Sequence, residues 1–288
     1  MARGTIRIGI SGWTYAPWRG KFYPAKLPQK QELAYAARVF SSIEINGTFY
    51  GLQRPEAFGV WRSETPEDFV FAVKGSRYIT HMLRLREVEV PLANFLASGV
   101  LRLGPKLGPI LWQFPPNMKF DAALFGAFFA LLPQDTQQAG MLAKHHDKRL
   151  SGRGWLESDV QQPLRHAVEV RHDSFRDPHF IRLLRKHKVA LVCADTVDWP
   201  RLSDVTSDFV YCRLHGSEEL YVSGYDSATL DQWADRVRTW AGGGAPEDLD
   251  HVLPVTKRKT GPDVFVYFDN DAKVRAPVDA VSLARRLE

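Results

Sequence analysis

The chain has 288 residues, with 38 Lys+Arg against 33 Asp+Glu, a formal net charge of +5 and a pI of about 9.2. Apolar residues make up 44% and charged residues 25%, values that exclude disordered and fibrous classes. The two cysteines, Cys193 and Cys212, exclude a disulfide scaffold and a multi-cysteine zinc site and suit a reducing compartment.

A chain this long buries roughly 75% of its unfolded surface, enough for one large α/β domain or two small ones. No charged segment with an apolar run precedes the first strand-like residues, and no apolar stretch approaches about 18 residues. The expectation is a soluble cytoplasmic protein with no membrane partner. The charge excess is modest. The densest basic stretches, Lys144–Arg153 and Lys257–Lys259, read as loops carrying solvated charge.

Eight short β-like runs recur along the chain: Thr5–Ile10, Ser42–Asn46, Phe69–Lys74, Pro109–Phe114, His166–Arg171, Val189–Asp195, Phe209–His215 and Val264–Asn270. Between them lie helical patterns at Gln31–Phe40, Pro55–Ser63, Pro91–Leu103, Ala122–Leu132, Pro178–His187, Ser227–Ala241 and Pro277–Leu287. Several open on a proline near the first helical position, where its missing N–H costs nothing. The link between the sixth and seventh runs is short and holds at most a turn of helix, Ser203–Thr206.

Eight strands alternating with helices predict a single-domain (β/α)8 barrel of the TIM type. No Gly-x-Gly-x-x-Gly turn follows the first run, which argues against a dinucleotide-binding half. The polar and basic stretch Gln137–Pro163 is long for a connection inside a compact domain and reads as an insertion.

Alternation along the strands then sorts the side chains, because residues two apart share a face. Ile43 and Ile45 suit the helix layer, which turns Glu44 and Asn46 inward. By the same reasoning Lys74, Leu111, Gln113, Glu169, Arg171, Tyr211, Arg213, His215, Tyr267 and Asp269 face the axis. Asp195 ends its strand with an ambiguous direction.

The inward polar set at the C-terminal end, where barrels of this type carry their chemistry, is Ser11, Glu44, Asn46, Lys74, Gln113, Glu169, Arg171, Arg213, His215 and Asp269. The carboxylates can be matched against the cations, and a neutral ion-pair plug is the bland alternative to an active site. Trp13, Tyr15 and Trp18 after the first strand, with Phe49 and Tyr50 after the second, place aromatic faces beside these cations. They suit a ring, a sugar or a splayed base, or else cap the barrel by packing.

Several blocks carry a family resemblance. Gly9-Ile10-Ser11-Gly12-Trp13, Glu44-Ile45-Asn46-Gly47-Thr48-Phe49-Tyr50 and Phe71-Ala72-Val73-Lys74-Gly75-Ser76-Arg77-Tyr78-Ile79-Thr80-His81 open the series. Gln113-Phe114-Pro115-Pro116, Glu169-Val170-Arg171, Arg213-Leu214-His215-Gly216 and Tyr267-Phe268-Asp269-Asn270 complete it. In this order they resemble the YecE-like family, domain of unknown function 72. The resemblance implies a TIM-like barrel and supplies no reaction. The chain departs from the family pattern at Asp269, where Asn is expected, and at Phe175, where many relatives carry Trp. The Gln137–Pro163 stretch is also longer than in the shortest members.

Four functions are weighed. The favoured one is an enzyme acting on a small anionic, phosphorylated molecule. Lys74, Arg171 and Arg213 would hold the anion, Glu44 or Glu169 would act as base, and His215 or His81 as acid. Ser11, Trp13, Tyr15, Asn46, Tyr50, Gln113, Asp269 and Asn270 would line the substrate.

A metal-dependent phosphodiesterase or isomerase would draw ligands from Glu44, Glu169, His172, Asp195, His215 and Asp269, although interleaved cations compete for those carboxylates. No metal or other cofactor is otherwise expected. A Schiff-base enzyme would use Lys74, and a binding module would take nucleic acid or another polyanion. His145-His146 reads as a solvated pair, and the cysteines read as buried thiols on neighbouring strands.

Overall fold

The computed structural model describes residues 2–216, 223–255, 258–270 and 274–288. Lys257, part of one basic stretch singled out in the sequence, lies outside the described residues. Eight parallel strands form a closed barrel in sequential order, and the last pairs with the first. They are β1 (Ile6–Ser11), β2 (Ser42–Ile45), β3 (Val70–Lys74), β4 (Leu107–Gln113), β5 (His166–Glu169), β6 (Val189–Asp195), β7 (Phe209–Leu214) and β8 (Asp263–Phe268). The eight-strand expectation and the TIM-type fold both hold, with ends shifted by at most two residues.

The helices are α1 (Glu32–Val39), α2 (Gly47–Tyr50), α3 (Pro55–Ser63), α4 (Glu89–Ala97), α5 (Ala122–Leu131), α6 (Thr136–Ala143), α7 (Pro178–His187), α8 (Ser227–Ala241) and α9 (Arg275–Leu287). The sequence pattern ran α4 on to Leu103, but the helix stops at Ala97. Gly99 takes φ 119°, and a Cβ there would stand 2.6 Å from Pro55 Cα. Only glycine tolerates both conditions. A 3-10 segment, Val100–Lys106, follows instead. The link between β6 and β7 contains no helical turn at Ser203–Thr206. The 137–163 stretch begins within α6 and includes a 3-10 turn at Lys148–Leu150. Asp147 N–H donates to Asn94 Oδ1 at 3.0 Å and Trp155 N–H to the Ala97 carbonyl at 2.8 Å, so the stretch is tied to α4.

Two hydrophobic layers result. The outer one packs strand faces such as Ile43, Ile45, Val168, Cys212 and Leu214 against the helices. The inner one fills the barrel with Ala72, Leu111, Ala167, Ala190, Val192, Ala194, Phe209, Tyr211, Phe265 and Tyr267. Small and large residues alternate to fill the bore. Gly9 is part of that fit, because a Cβ there would sit 1.9 Å from the Ser42 carbonyl. Above Tyr211 and Tyr267 the interior turns from apolar to ionic.

Candidate functional site

Arg213, on β7, lies at the centre of the upper layer and is fully buried, as are Glu44 and Glu169. Its Nη1 donates to Glu169 Oε2 at 2.6 Å. Its Nη2 donates to Asp269 Oδ2 at 2.6 Å and to Glu44 Oε1 at 3.0 Å, and its Nε to Glu44 Oε2 at 3.1 Å. One planar guanidinium thus bonds carboxylates from β2, from the end of β5 and from just beyond β8. Arginine alone among the cations has enough fixed donors for this.

Glu44 is saturated by further donors. Tyr211 Oη reaches its Oε2 at 2.5 Å, and Ser11 Oγ donates to its Oε1. Glu169 Oε1 accepts from Arg171 Nε at 2.7 Å and pairs with Arg171 Nη2 at 2.6 Å. The Arg171 guanidinium lies over the Trp199 ring, 3.8 Å from its centroid. His215 sits between two acids, with Nδ1 3.2 Å from Asp269 Oδ2 and Nε2 3.7 Å from Glu169 Oε2. Trp199 meets the His215 ring edge-on at 5.6 Å.

This pairing sets the protonation states. The adjacent Arg171 and Arg213 charges outweigh burial and hold the Glu169 carboxyl well below the usual range. Arg213 and His215 act in the same way on Asp269. Glu169, expected from the sequence as a base, is therefore a poor proton acceptor at neutral pH. Both its oxygens are also committed to guanidinium groups.

Lys74 is different. It ends β3 inside the barrel at 8% exposure, with Nζ 4.7 Å above the Phe49 ring. Among the described residues no acceptor hydrogen-bonds this ammonium and no carboxylate lies within ion-pair distance. Burial lowers its pKa from the ordinary lysine value. Arg213 adds to that shift, while Asp269, Glu44 and Glu169 oppose it.

Past β3 the chain makes a wide π turn, Tyr78–Met82, that no sequence pattern signalled. It carries His81, whose Nδ1 lies 2.8 Å from Thr80 Oγ1 and whose ring meets Phe49 edge-on at 5.2 Å. Burial, followed by the charges of Arg171, Lys74 and Arg77, lowers His81 to about 4. Phe49 therefore touches both groups, and a cationic corner gathers opposite the saturated acids. Gln113 is buried on β4, one strand pairing from Glu169.

Other expected site residues are placed differently. Asn46 Nδ2 reaches Ser11 Oγ at 3.3 Å, at the edge of the ionic layer. Tyr15 Oη donates to the Ser11 carbonyl at 2.7 Å and its ring tilts against Trp18, bracing the turn after β1. Trp13 packs edge-on against Trp61 of α3 at 5.4 Å, a capping contact. Tyr50 is 68% exposed, with Arg77 over its ring at 5.4 Å. Asn270 donates to Asp279 Oδ2 of α9 at 2.9 Å and to the Ser223 carbonyl at 3.0 Å, so its amide is engaged with the helix layer.

Asp195 also points to the helix layer. It accepts from Arg201 at 2.9 Å and from Trp233 Nε1 at 3.2 Å. His172 caps the 3-10 turn Asp173–Phe175. Asp195 and His172 therefore do not join the other residues named as metal ligands, whose carboxylates face guanidinium donors. Among the described residues no group of three or more His, Cys, Asp or Glu could hold a metal ion.

Trp199 and Arg77 are the contributors that sequence reasoning did not single out. Trp199 lies in a loop without periodicity. Arg77 stood within a quoted block but off any strand face.

The barrel and this arrangement carry the family blocks in place. The model of the family described as "Protein of unknown function DUF72" matches residues 7–288. The chain belongs to the DUF72 family.

This DUF72 chain is 32% and 25% identical to the UPF0759 protein YecE of two strains of Escherichia coli. Each match spans 276 residues, 90% of this chain and 95% of YecE. It is 30% identical to the UPF0759 protein YunF of Bacillus subtilis over 122 residues, 38% of this chain and 40% of that protein. A DUF72 family protein from Thermotoga maritima shares the fold with a TM-score of 0.70 at 23% identity, covering 98% of this chain and 99% of its own. A DUF72 family protein from Enterococcus faecalis does so with a TM-score of 0.69 at 17% identity, covering 98% and 95%. No helix among the described residues of this DUF72 chain is long and apolar enough to cross a membrane.

Proposed function

We propose that the C-terminal mouth of the barrel binds a small molecule bearing a phosphate or carboxylate and moves a proton on it, with Lys74 as the acid/base group. The observation that carries this reading is the contrast between the saturated acids and Lys74. Arg213 and Arg171 already neutralise Glu169, and Arg213 also faces Glu44 and Asp269. Lys74 keeps three N–H donors without a described acceptor and shares its corner with Arg171, Arg77 and His81. A buried cation without a partner is costly, so an anion arriving there gains what the fold leaves unmade.

The test is calorimetric titration with inorganic phosphate, phosphorylated sugars and short carboxylates, followed by turnover assays on those that bind. Binding by the wild type and its loss in Lys74→Met support the reading. Equal affinity in both proteins overturns it. A polyanion reading is favoured by the cation-aromatic pairs Arg77–Tyr50 and Arg149–Tyr78 beside the mouth. It requires oligonucleotide binding that weakens steeply with salt.

A further inference from the structure

We infer that the Lys74 amine is a nucleophile that forms an imine with an anionic aldehyde or ketone. This rests on the anion-binding reading above and narrows its substrate to carbonyl compounds carrying a phosphate or carboxylate. Three observations converge on it.

The first is position. Lys74 ends β3 on the inner face at the C-terminal mouth, almost wholly removed from water, and among the described residues no carboxylate lies within ion-pair distance of it. A lysine meant only to neutralise the acids would be expected to sit within ion-pair range of one of them. Here Arg213 takes that role with all three.

The second is the surroundings. The groups whose charge reaches Lys74 are Arg213 on β7, Glu44 on β2, Glu169 on β5 and Asp269 beyond β8. Arg171 and Arg77 gather with it around His81. The apolar Phe49 face lies against the ammonium and offers no acceptor. Burial and the neighbouring guanidinium favour the neutral amine, which is the reactive form.

The third is a neighbouring cationic charge. Arg77 lies in the same corner around His81, so the anionic group of a substrate meets a second cation while Lys74 meets the carbonyl. His81 shares the Phe49 ring with Lys74 and is neutral at pH 7, so it adds no charge that would compete for the anion.

The step balances without a further reactant. The nitrogen lone pair attacks the carbonyl carbon, the C–N bond forms, and the C=O π pair becomes an alkoxide that takes up a proton. The nitrogen loses both of its protons in turn, one balancing that uptake and the other going to the hydroxyl, which leaves as water. The C=N bond that remains, once protonated, accepts the electron pair of a bond to the neighbouring carbon.

The experiment is reductive trapping. Wild type and Lys74→Arg are incubated with glycolaldehyde phosphate or pyruvate and cyanoborohydride between pH 6 and 9, and the labelled lysines are mapped by mass spectrometry. Phosphate binding is measured on the same samples. Lys74 should label severalfold faster than exposed Lys186 at pH 7, since burial and the Arg213 charge favour its free amine. Excess inorganic phosphate should slow that labelling, and its rate should level off at a lower pH than that of Lys186.

Lys74→Arg keeps the charge and should retain phosphate while losing the fast label. Labelling of Lys74 no faster than Lys186, with phosphate still bound, overturns the imine inference and leaves the anion reading standing. Fast labelling of Lys74 that phosphate neither slows nor accompanies by binding overturns the anion reading and upholds the nucleophile. Loss of both overturns both.

Discussion

Replacing Arg213 by Met removes the one cation that the upper layer is built around while preserving much of its length. Glu169 keeps Arg171 on its other oxygen. Among the described residues Glu44 keeps the Ser11 and Tyr211 hydroxyls, and Asp269 keeps His215. Removing one partner of a buried ion pair costs about 3–5 kcal/mol, and here two carboxylates lose their guanidinium. The expected loss at pH 7 is therefore at least about 5 kcal/mol, comparable to the whole stability of a modest domain.

The sign of the pH dependence should also change. In the wild type Glu169 and Asp269 are held below their unfolded values, so their contribution is present above the unfolded carboxylate pKa and is lost as pH falls through the folded ones. Without Arg213, Asp269 is a buried acid with little compensation, and its folded pKa should rise above the unfolded one. The variant should then be most stable below the unfolded carboxylate pKa and lose stability as pH rises through the raised value. Urea unfolding from pH 4 to 8 measures both effects, with Arg213→Met/Glu44→Gln recovering part of the loss by removing one orphaned charge. A loss below about 1 kcal/mol at pH 7, or a pH slope matching the wild type, would refute the placement of Arg213 as the counter-ion of the layer.

Other outcomes follow from the same geometry. Lys74→Met should match or exceed the wild type in stability at pH 7, because it removes a buried lysine amine that no described residue pairs; urea midpoints decide this, and a loss above about 2 kcal/mol would mean that Lys74 has a structural partner. The depressed Lys74 pKa means the wild type should gain stability as pH rises from the folded value towards the unfolded lysine value, a gain absent from Lys74→Met in paired alkaline titrations. His81 should titrate with a midpoint near 4 by NMR, and a midpoint near the ordinary histidine value would place it outside the cationic corner. Cys193 and Cys212, paired in register on β6 and β7 and both buried, should resist an aromatic disulfide reagent in the native protein and react fully in urea. The Cys212 thiol is pushed well up by burial, so raising the pH to 9 should not change that.

Much of this site was legible because a strand's period of two leaves no choice once one face is apolar. Ile43 and Ile45 pointed outward, so Glu44 had to point in. Phe69, Phe71 and Val73 did the same for Lys74, and Val168 and Val170 for Glu169. The rule failed where both faces are apolar. In β6 the inward residues Ala190, Val192 and Ala194 are as hydrophobic as the outward Leu191 and Cys193, so Asp195 carried no phase. Structure outside the strands was less legible still. The π turn that carries His81 has no sequence period of its own, and α4 broke at Gly99 because of a contact with Pro55 that is distant in sequence.

The partnering of the charges lay beyond the sequence for a more specific reason. Alternation places three acids and three cations on the inner face and leaves their matching open, since any pairing neutralises the layer. Closure of the barrel decides it. It brings β2, β5, β7 and the segment after β8 to one point on the axis, where the five fixed donors of a guanidinium can serve three carboxylates. Once Arg213 occupies that point and Arg171 takes the remaining oxygen of Glu169, no acid among the described residues forms an ion pair with Lys74. The same closure that gives the carboxylates their guanidinium donors therefore sets the lysine apart, although alternation alone counts it as one more counter-ion.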